Sequence, residues 1–463
     1  MLRHTYARSI FVGASALVFL WYSYLFFGSF IIRTFTNIDQ EVSGSNFVNQ
    51  FILLFTICFS IILFFWSREN IIRLLKSIIP IIAVYLWFLA TVFWSLQPAI
   101  TVRRVAGEAI FLFFVICVVP VIKSPKNAVF PLILALLLVL FANIISIVMF
   151  PGESFDELGN FHGTFIQKNS ASTAFFIIAL LTFFYGLSRD KSYERILFSF
   201  ISIISLIFLA ISGSKTVIGF SLILSSAFSL IYFLSRLERF SFLLLVLAFL
   251  AIFGFSWMFI VFGDISQAEI YEFFTGDPTL TRRTELWEYL VLMIEERPIL
   301  GVGWGAIWNI GTDLNPLPAP HNIWFMDASD INTAHNTFID VWAQGGAVGL
   351  IIVVFFIFRT IWVYYTIITG GNMNRSDATI VFGLLIMGVF IILNSFTETY
   401  LFQPSGGIGR LFVYLAIFGE YWRMVLGSRH LPAPGRVIRR EAVTLSLPRQ
   451  GVRGPRSASA SRG

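Results

Sequence analysis

Two adjacent arginines, Arg282 and Arg283, open the stretch RRTELWEYLVLMIEERPILGVGWG, in a neighbourhood that is otherwise acidic. Like charges side by side are costly unless they meet an anion. A guanidinium presents a planar fork of donors that matches phosphate oxygens. At the far end of the same polar segment, His335-Asn336 stands where the chain turns apolar again, in AHNTFIDVWAQGGAVGL. An imidazole there lies near lipid yet within reach of water, and its ordinary pKa near 6.5 suits it to take a proton from a hydroxyl. Asn336 is placed to cap the next helix or to hold the ring. The chemistry suggested is an anion to be held and a proton to be removed.

Other residues of these types lie apart in the chain. Lys215 falls in SGSKT, a very short turn between two apolar runs. A cation beside the free backbone N–H groups of a helix start suits a phosphate; the plainer reading is a lysine closing a tight turn. Lys168 falls in FHGTFIQKNSAS, close to His162, Glu153, Asp156 and Glu157, and those acids offer it an ordinary pairing. Asn169 or Ser170 is positioned to cap the helix that follows. Glu398, in NSFTETYL, is placed to orient His335 or to act as the base itself, with an ordinary turn acid as the plain alternative.

A helix is expected over roughly 280–296, with Arg283, Trp287, Leu290 and Ile294 on one face. That stripe would lie on the membrane surface and hold Arg283 over a lipid headgroup; pairing of the arginine with Glu285 or Glu288 is the alternative. Gly301, Gly303 and Gly305 in GVGWG follow no strand and precede no Lys-Ser/Thr, so a nucleotide loop is excluded. They predict a tight turn after Pro298 that permits close backbone approach. Cys58 and Cys117 both lie in apolar runs and read as core residues. Neither a disulfide nor a metal site is expected from them.

The elements that position these residues follow from composition. Of 463 residues, 57% are hydrophobic and only 13% charged. Soluble domains are closer to a quarter charged, so the expectation is an all-α polytopic membrane protein. A helix needs roughly 20 apolar residues to span the hydrocarbon. About twelve such runs lie near 10–32, 47–66, 77–95, 105–122, 128–150, 170–187, 196–211, 216–234, 240–262, 336–358, 378–393 and 409–426. They are continuous rather than alternating, which excludes a β-barrel. The first run has no small-residue cleavage site and is read as a retained helix.

Charge sets the orientation. With the N-terminus inside and alternating sides, the inner face holds Arg3, Arg8, Arg68, Arg73, Lys76, Lys123, Lys126, Arg189, Lys191, Arg195, Arg236, Arg239, Arg359, Arg375 and the basic C-terminal end. The positive-inside rule selects this arrangement. Both termini are then cytoplasmic, in an inner (plasma) membrane. The acidic segment 263–335 becomes a long outer loop carrying short amphipathic helices, between the ninth and tenth runs. Arg33, Arg103, Arg104, Lys168, Lys215, Arg282, Arg283, Arg297 and Arg410 remain on the unfavoured side. Arg33 reads as a snorkelling anchor. Residues 1–426 form one membrane domain, and 427–463 form a basic disordered tail drawn to anionic lipid. Once the charges are placed, the net charge of +6 gives no case for a nucleic-acid partner.

The combined motifs RTELWEYLVLMIEERPILGVGWG (283–305), AHNTFIDVWAQGGAVGL (334–350), SGSKT (212–216) and FIQKN (165–169) resemble the O-antigen ligase / O-antigen and exopolysaccharide polymerase superfamily. The resemblance covers most of the chain. It implies a periplasmic-face glycosyltransferase that takes a glycan from undecaprenyl pyrophosphate. The acceptor is the next repeat unit in a polymerase, or lipid A–core in a ligase. It further implies no nucleotide sugar, no metal and no cofactor, with other polysaccharide assembly and export proteins as partners. Arg283 matches the family's pyrophosphate-holding arginine and His335 its essential histidine. Lys215 stands where the family usually has Arg, and Gln167 where a His often precedes Lys-Asn in the exopolysaccharide branch. The Lys-Asn pair points to a polymerase. Direct attack on the anomeric carbon would invert it, with Arg283 and the lysines stabilising the leaving charge.

A transporter or lipid-linked oligosaccharide flippase is the competing class. Such proteins place ionisable groups near the midplane on broken helices, whereas here the apolar runs are almost free of charge and the unusual cations gather at one face. A non-catalytic scaffold leaves the outer arginines and histidine without a role.

Overall fold

The computed structural model describes residues 2–35, 47–122, 124–234, 283–308, 333–370, 373–404 and 406–428. Long apolar runs leave the backbone no partner but itself, so each becomes a helix. In chain order these are α1 (Leu2–Phe35), α2 (Phe47–Ser77), α3 (Ile79–Ala90), α4 (Pro98–Val118), α5 (Pro125–Met149), α6 (Lys168–Leu187), α7 (Ser192–Ile211) and α8 (Lys215–Leu234). After the outer segment come α9 (Arg283–Glu296), α10 (Thr337–Thr369), α11 (Arg375–Asn394) and α12 (Gly407–Ser428).

Eight of them, α1, α2, α4, α5, α6, α7, α10 and α11, are long and apolar enough to cross a membrane. The protein is therefore an all-α polytopic membrane protein, and the described residues account for eight of the roughly twelve expected spans. The Ile79–Phe93 stretch is a shorter apolar one, α8 is apolar over Lys215–Phe228, and α12 carries Arg410, Glu420 and Arg423. The run at 240–262, the segments 263–282 and 309–332, and nearly all of the tail lie outside the described residues.

The core runs through α4, α5, α6, α11 and α12, with Phe111, Phe114, Phe175, Phe390, Tyr414 and Trp422 fully buried. In α6, 72% of the span is enclosed by neighbours, against 22% in α7, which presents Ile196, Phe200 and Ile207 outward. That is the division expected of a central helix and a lipid-facing one. Cys117 is buried as expected, but Cys58 is exposed on α2; in a membrane protein an apolar run is as readily a lipid face as a core.

Two further departures from the sequence reading matter. The spans are not free of charge: Glu108 in α4 and Arg410 in α12 form a buried pair, with Arg410 Nη2 to Glu108 Oε1 at 2.6 Å. The guanidinium also lies over Trp21 and Phe111, 5.3 Å from each ring centroid. Second, α10 is broken at Gly346 (φ 68, ψ −177). A continuous helix would bond Ala347 N–H to the Ala343 carbonyl and Val348 N–H to the Gln344 carbonyl. Instead Ala347 and Val348 donate to the Pro298 and Ile299 carbonyls, while Val302 and Gly303 donate to Ala343 and Gln344. The 298–303 segment has inserted itself into the helix ladder. A Cβ on Gly346 would stand 2.0 Å from the Ile299 carbonyl oxygen, and one on Gly301 2.5 Å from Gly346 N. Both positions require glycine.

A candidate active site around Glu398

Five elements meet at one end of the bundle: the starts of α6, α8, α9 and α10, and the turn after α11. Asn336 N-caps α10, accepting from Phe338 and Ile339 N–H at 2.9 and 3.1 Å. Its amide also donates to the Phe396 carbonyl. The cap leaves His335 just outside the helix, in a left-handed conformation (φ 47). Such a conformation is uncommon for a residue with a side chain and persists only where the surroundings enforce it. Thr337 fixes the facing turn: its hydroxyl donates to the Glu398 carbonyl and accepts from Tyr400 and Leu401 N–H.

Glu398, 6% exposed, is the hub. Its Oε1 accepts from Arg283 Nη2 at 2.5 Å and from Asn169 Nδ2 at 2.6 Å. Its Oε2 meets His335 Nδ1 at 2.9 Å. Arg283 Nη1 donates to the Thr397 carbonyl, and Asn169 Oδ1 accepts from Ser214 Oγ at 2.7 Å. Burial alone would raise the Glu398 carboxyl, but the hydrogen bond from His335, the charges of Arg283 and His335 and the bond from Asn169 outweigh it. They hold the acid below the usual carboxylate range. An ionised Glu398 accepts only, so the proton between it and the ring sits on Nδ1. Among the described residues nothing bonds the other ring nitrogen, Nε2. The hub can therefore fix the ring and its tautomer while leaving a basic nitrogen available.

The structure brings together Arg283, His335, Asn336, Glu398 and Asn169. Lys168, next to Asn169, is the first residue of α6; against burial, which raises the Asp156 carboxyl, hydrogen bonds from Asn160 and Leu158 and, least, the charge of Lys168 hold it below the usual range. Lys215 opens α8 directly after Ser214, with an exposed side chain. Arg282 lies outside the described residues. Asn169 does not cap α6: the cap position is Gln167, which makes no side-chain cap bond. Among the described residues Arg283 pairs with Glu398 and not with Glu288, while the side chain of Glu285 lies outside them.

The expected apolar stripe of α9 does not lie on the membrane. Leu286, Leu290 and Ile294 pack with Val302, Ile307, Trp308, Ala334 and Ala343 into a small second core. Trp287 donates to the Ala334 carbonyl. Helical periodicity marks a buried face without saying what buries it. Several residues of the network were not singled out from the sequence. Thr337 and Tyr400 carry no signal there, whereas Asp340 and Gln344, polar residues four apart inside an apolar run, do. Arg104, read only as an outward cation, donates to the Gly305 and Trp308 carbonyls. Among the described residues no group of three or more His, Cys, Asp or Glu stands together as a metal site.

Residues 200–354 match the family model described as O-antigen ligase. The match supports placing the chain in the O-antigen ligase/polymerase superfamily. It covers about a third of the chain and includes Lys215, Arg282, Arg283, His335 and Asn336. Lys168, Asn169 and Glu398 lie outside it; Asn169 and Glu398 join by contact, and Lys168 only adjoins Asn169 in the chain. No curated protein matches the chain. The superfamily indicates a glycosyltransferase-like enzyme, acting on lipid-linked glycans in a membrane setting.

Proposed function

We propose that the protein transfers a glycan from undecaprenyl pyrophosphate to a sugar hydroxyl at the periplasmic face of the bacterial inner membrane. The observation that carries this reading is the Arg283–Glu398–His335 interlock, an anion-binding cation and an oriented imidazole on one carboxylate. His335 Nε2 takes the proton of the acceptor hydroxyl as its oxygen attacks the anomeric carbon. The bond from that carbon to the pyrophosphate oxygen breaks on the opposite side, and the configuration inverts. The leaving pyrophosphate takes the electron pair, and Arg283 stabilises its growing charge, with Lys215, Lys168 and Arg282 nearby in sequence or space. Glu398 holds the ring and balances the positive charge His335 acquires.

In this reading residues 1–426 form the membrane domain with both termini cytoplasmic, and 427–463 a basic tail on the inner leaflet. The acceptor is the next exopolysaccharide or O-antigen repeat unit, which the Lys168-Asn169 pair favours. Transfer to lipid A–core is the second reading, favoured by the ligase description of the matched family. A transport role finds its best support in Glu108–Arg410, but that carboxylate and guanidinium engage each other at both oxygens. Surface glycans of a deletion strain decide the acceptor. Long unligated chains on the carrier indicate a ligase, and single repeat units a polymerase. Intact surface glycan in that strain overturns both.

A further inference from the structure

We propose that Asp340 and Gln344 are positioning residues for this site, clasping the 301–308 segment so that Arg283, His335 and Glu398 meet. The inference rests on the transfer reaction proposed above. Asp340 and Gln344 are 2% and 1% exposed, four residues apart on the first turns of α10. A buried carboxylate and a buried amide are tolerated only when hydrogen-bonded. Here every bond ties the helix to the same segment or to the other member of the pair. Trp308 Nε1 donates to Asp340 Oδ1 at 2.5 Å. Gln344 Nε2 donates to Asp340 Oδ2 at 2.7 Å, and its Oε1 accepts from Gly305 N–H at 2.5 Å. The exchanged backbone bonds of Val302 and Gly303 complete the clasp.

The clasped segment reaches each reacting group by a short route. Its start is joined through the turn 297–300 to α9, which carries Arg283, and its Val302, Ile307 and Trp308 pack under α9 in the second core. In its middle, Trp304 Nε1 donates to the Phe402 carbonyl at 3.0 Å, in the turn that carries Glu398. Trp304 also stacks on Phe88, 5.0 Å between centroids. Its far end returns to Asp340, one and a half turns after His335. Asp340 and Gln344 touch neither Glu398 nor His335, so they act by placement. A misplacement near 1 Å at a reacting centre costs roughly 10²-fold in rate.

The test uses the full chain, labelled with ¹⁵N-histidine and reconstituted in lipid nanodiscs, with the His335 ring assigned through His335→Gln. Surface glycan is measured in parallel in a deletion strain carrying each variant. Wild type should show an Nδ1-protonated His335 ring. Asp340→Leu and Trp308→Phe should lose that signature. Asp340→Leu should also lower glycan output roughly 10²-fold, while Asp340→Asn, which keeps an acceptor for Trp308, restores both in large part. Trp308→Phe gives the ring readout if Asp340→Leu fails to insert. An unchanged ring in folded Asp340→Leu or Trp308→Phe overturns the proposal. Normal glycan from His335→Ala, with the ring still disturbed by Asp340→Leu, overturns the transfer reading and leaves the clasp standing.

Discussion

Two arginine–carboxylate pairings among the described residues, Glu108–Arg410 and Arg283–Glu398, differ in kind. Glu108 and Arg410 close on each other: both carboxylate oxygens meet one guanidinium, which also lies against Trp21 and Phe111. Glu398 is shared among Arg283, Asn169 and His335, each from a different element, and the imidazole keeps one nitrogen unused among the described residues. The first arrangement joins α4 to α12 across the core. The second joins three elements on one carboxylate and leaves His335 Nε2 without a partner among the described residues. Buried charge alone therefore does not mark a site in this protein; unsaturated buried charge does.

The contrast breaks if the two pairings respond alike. The largest expected effect is at the open one. His335→Ala should lower glycan transfer by roughly 10²- to 10⁴-fold, the usual worth of a general base, with membrane insertion unchanged. Arg283→Ala should fall in the same range, read as surface glycan per inserted protein. Normal output from both removes the distinction. Glu398→Gln comes next: the amide still reaches the ring but no longer fixes the Nδ1 proton or balances charge, so transfer should fall about 10²-fold, the low end of that range.

At the closed pair the effect should be on stability instead. Glu108→Leu alone strands a buried guanidinium and should cost about 3–5 kcal/mol, whereas Glu108→Leu with Arg410→Met should recover most of it. Thermal melting of the detergent-solubilised chain measures this. Transfer should survive in the double variant. Loss of transfer at full stability would move Glu108–Arg410 into the functional machinery and favour the transporter class.

The pH response separates them further. Glu398 is held below its unfolded value, so its stabilisation is complete above the ordinary carboxylate range and is lost as pH falls through the lowered value. Melting temperature should drop below about pH 4.3 in wild type and less in Glu398→Gln. The smallest effect is expected at Lys215. Its exposed side chain stands beside the hub rather than in it, so Lys215→Ala should weaken donor use by about tenfold or less, since a single exposed charge contact contributes little.

The sequence was most readable where physics is local. Apolar run length predicted the helices, and Asn336 before an apolar run predicted a cap that the structure contains. Arg283, His335 and Glu398 were legible as residue types lying where the spans stop. Their convergence was not, because it depends on turns distant in the chain and on Asn169, which from sequence looked like a cap. The α9 stripe was read as a membrane face because periodicity gives a direction and not a partner. The insertion of 298–303 into α10 was half visible. Three glycines announced a close backbone approach, but not that Gly346 would open the helix to receive it.

The most direct measurement uses purified chain in nanodiscs with a synthetic undecaprenyl-pyrophosphate oligosaccharide and a matching sugar acceptor. Release of undecaprenyl pyrophosphate and formation of the new glycosidic bond are followed together. The account predicts coupled release and transfer by wild type, with inversion at the anomeric carbon, and neither from His335→Ala or Arg283→Ala. Transfer by His335→Ala at the wild-type rate would contradict it.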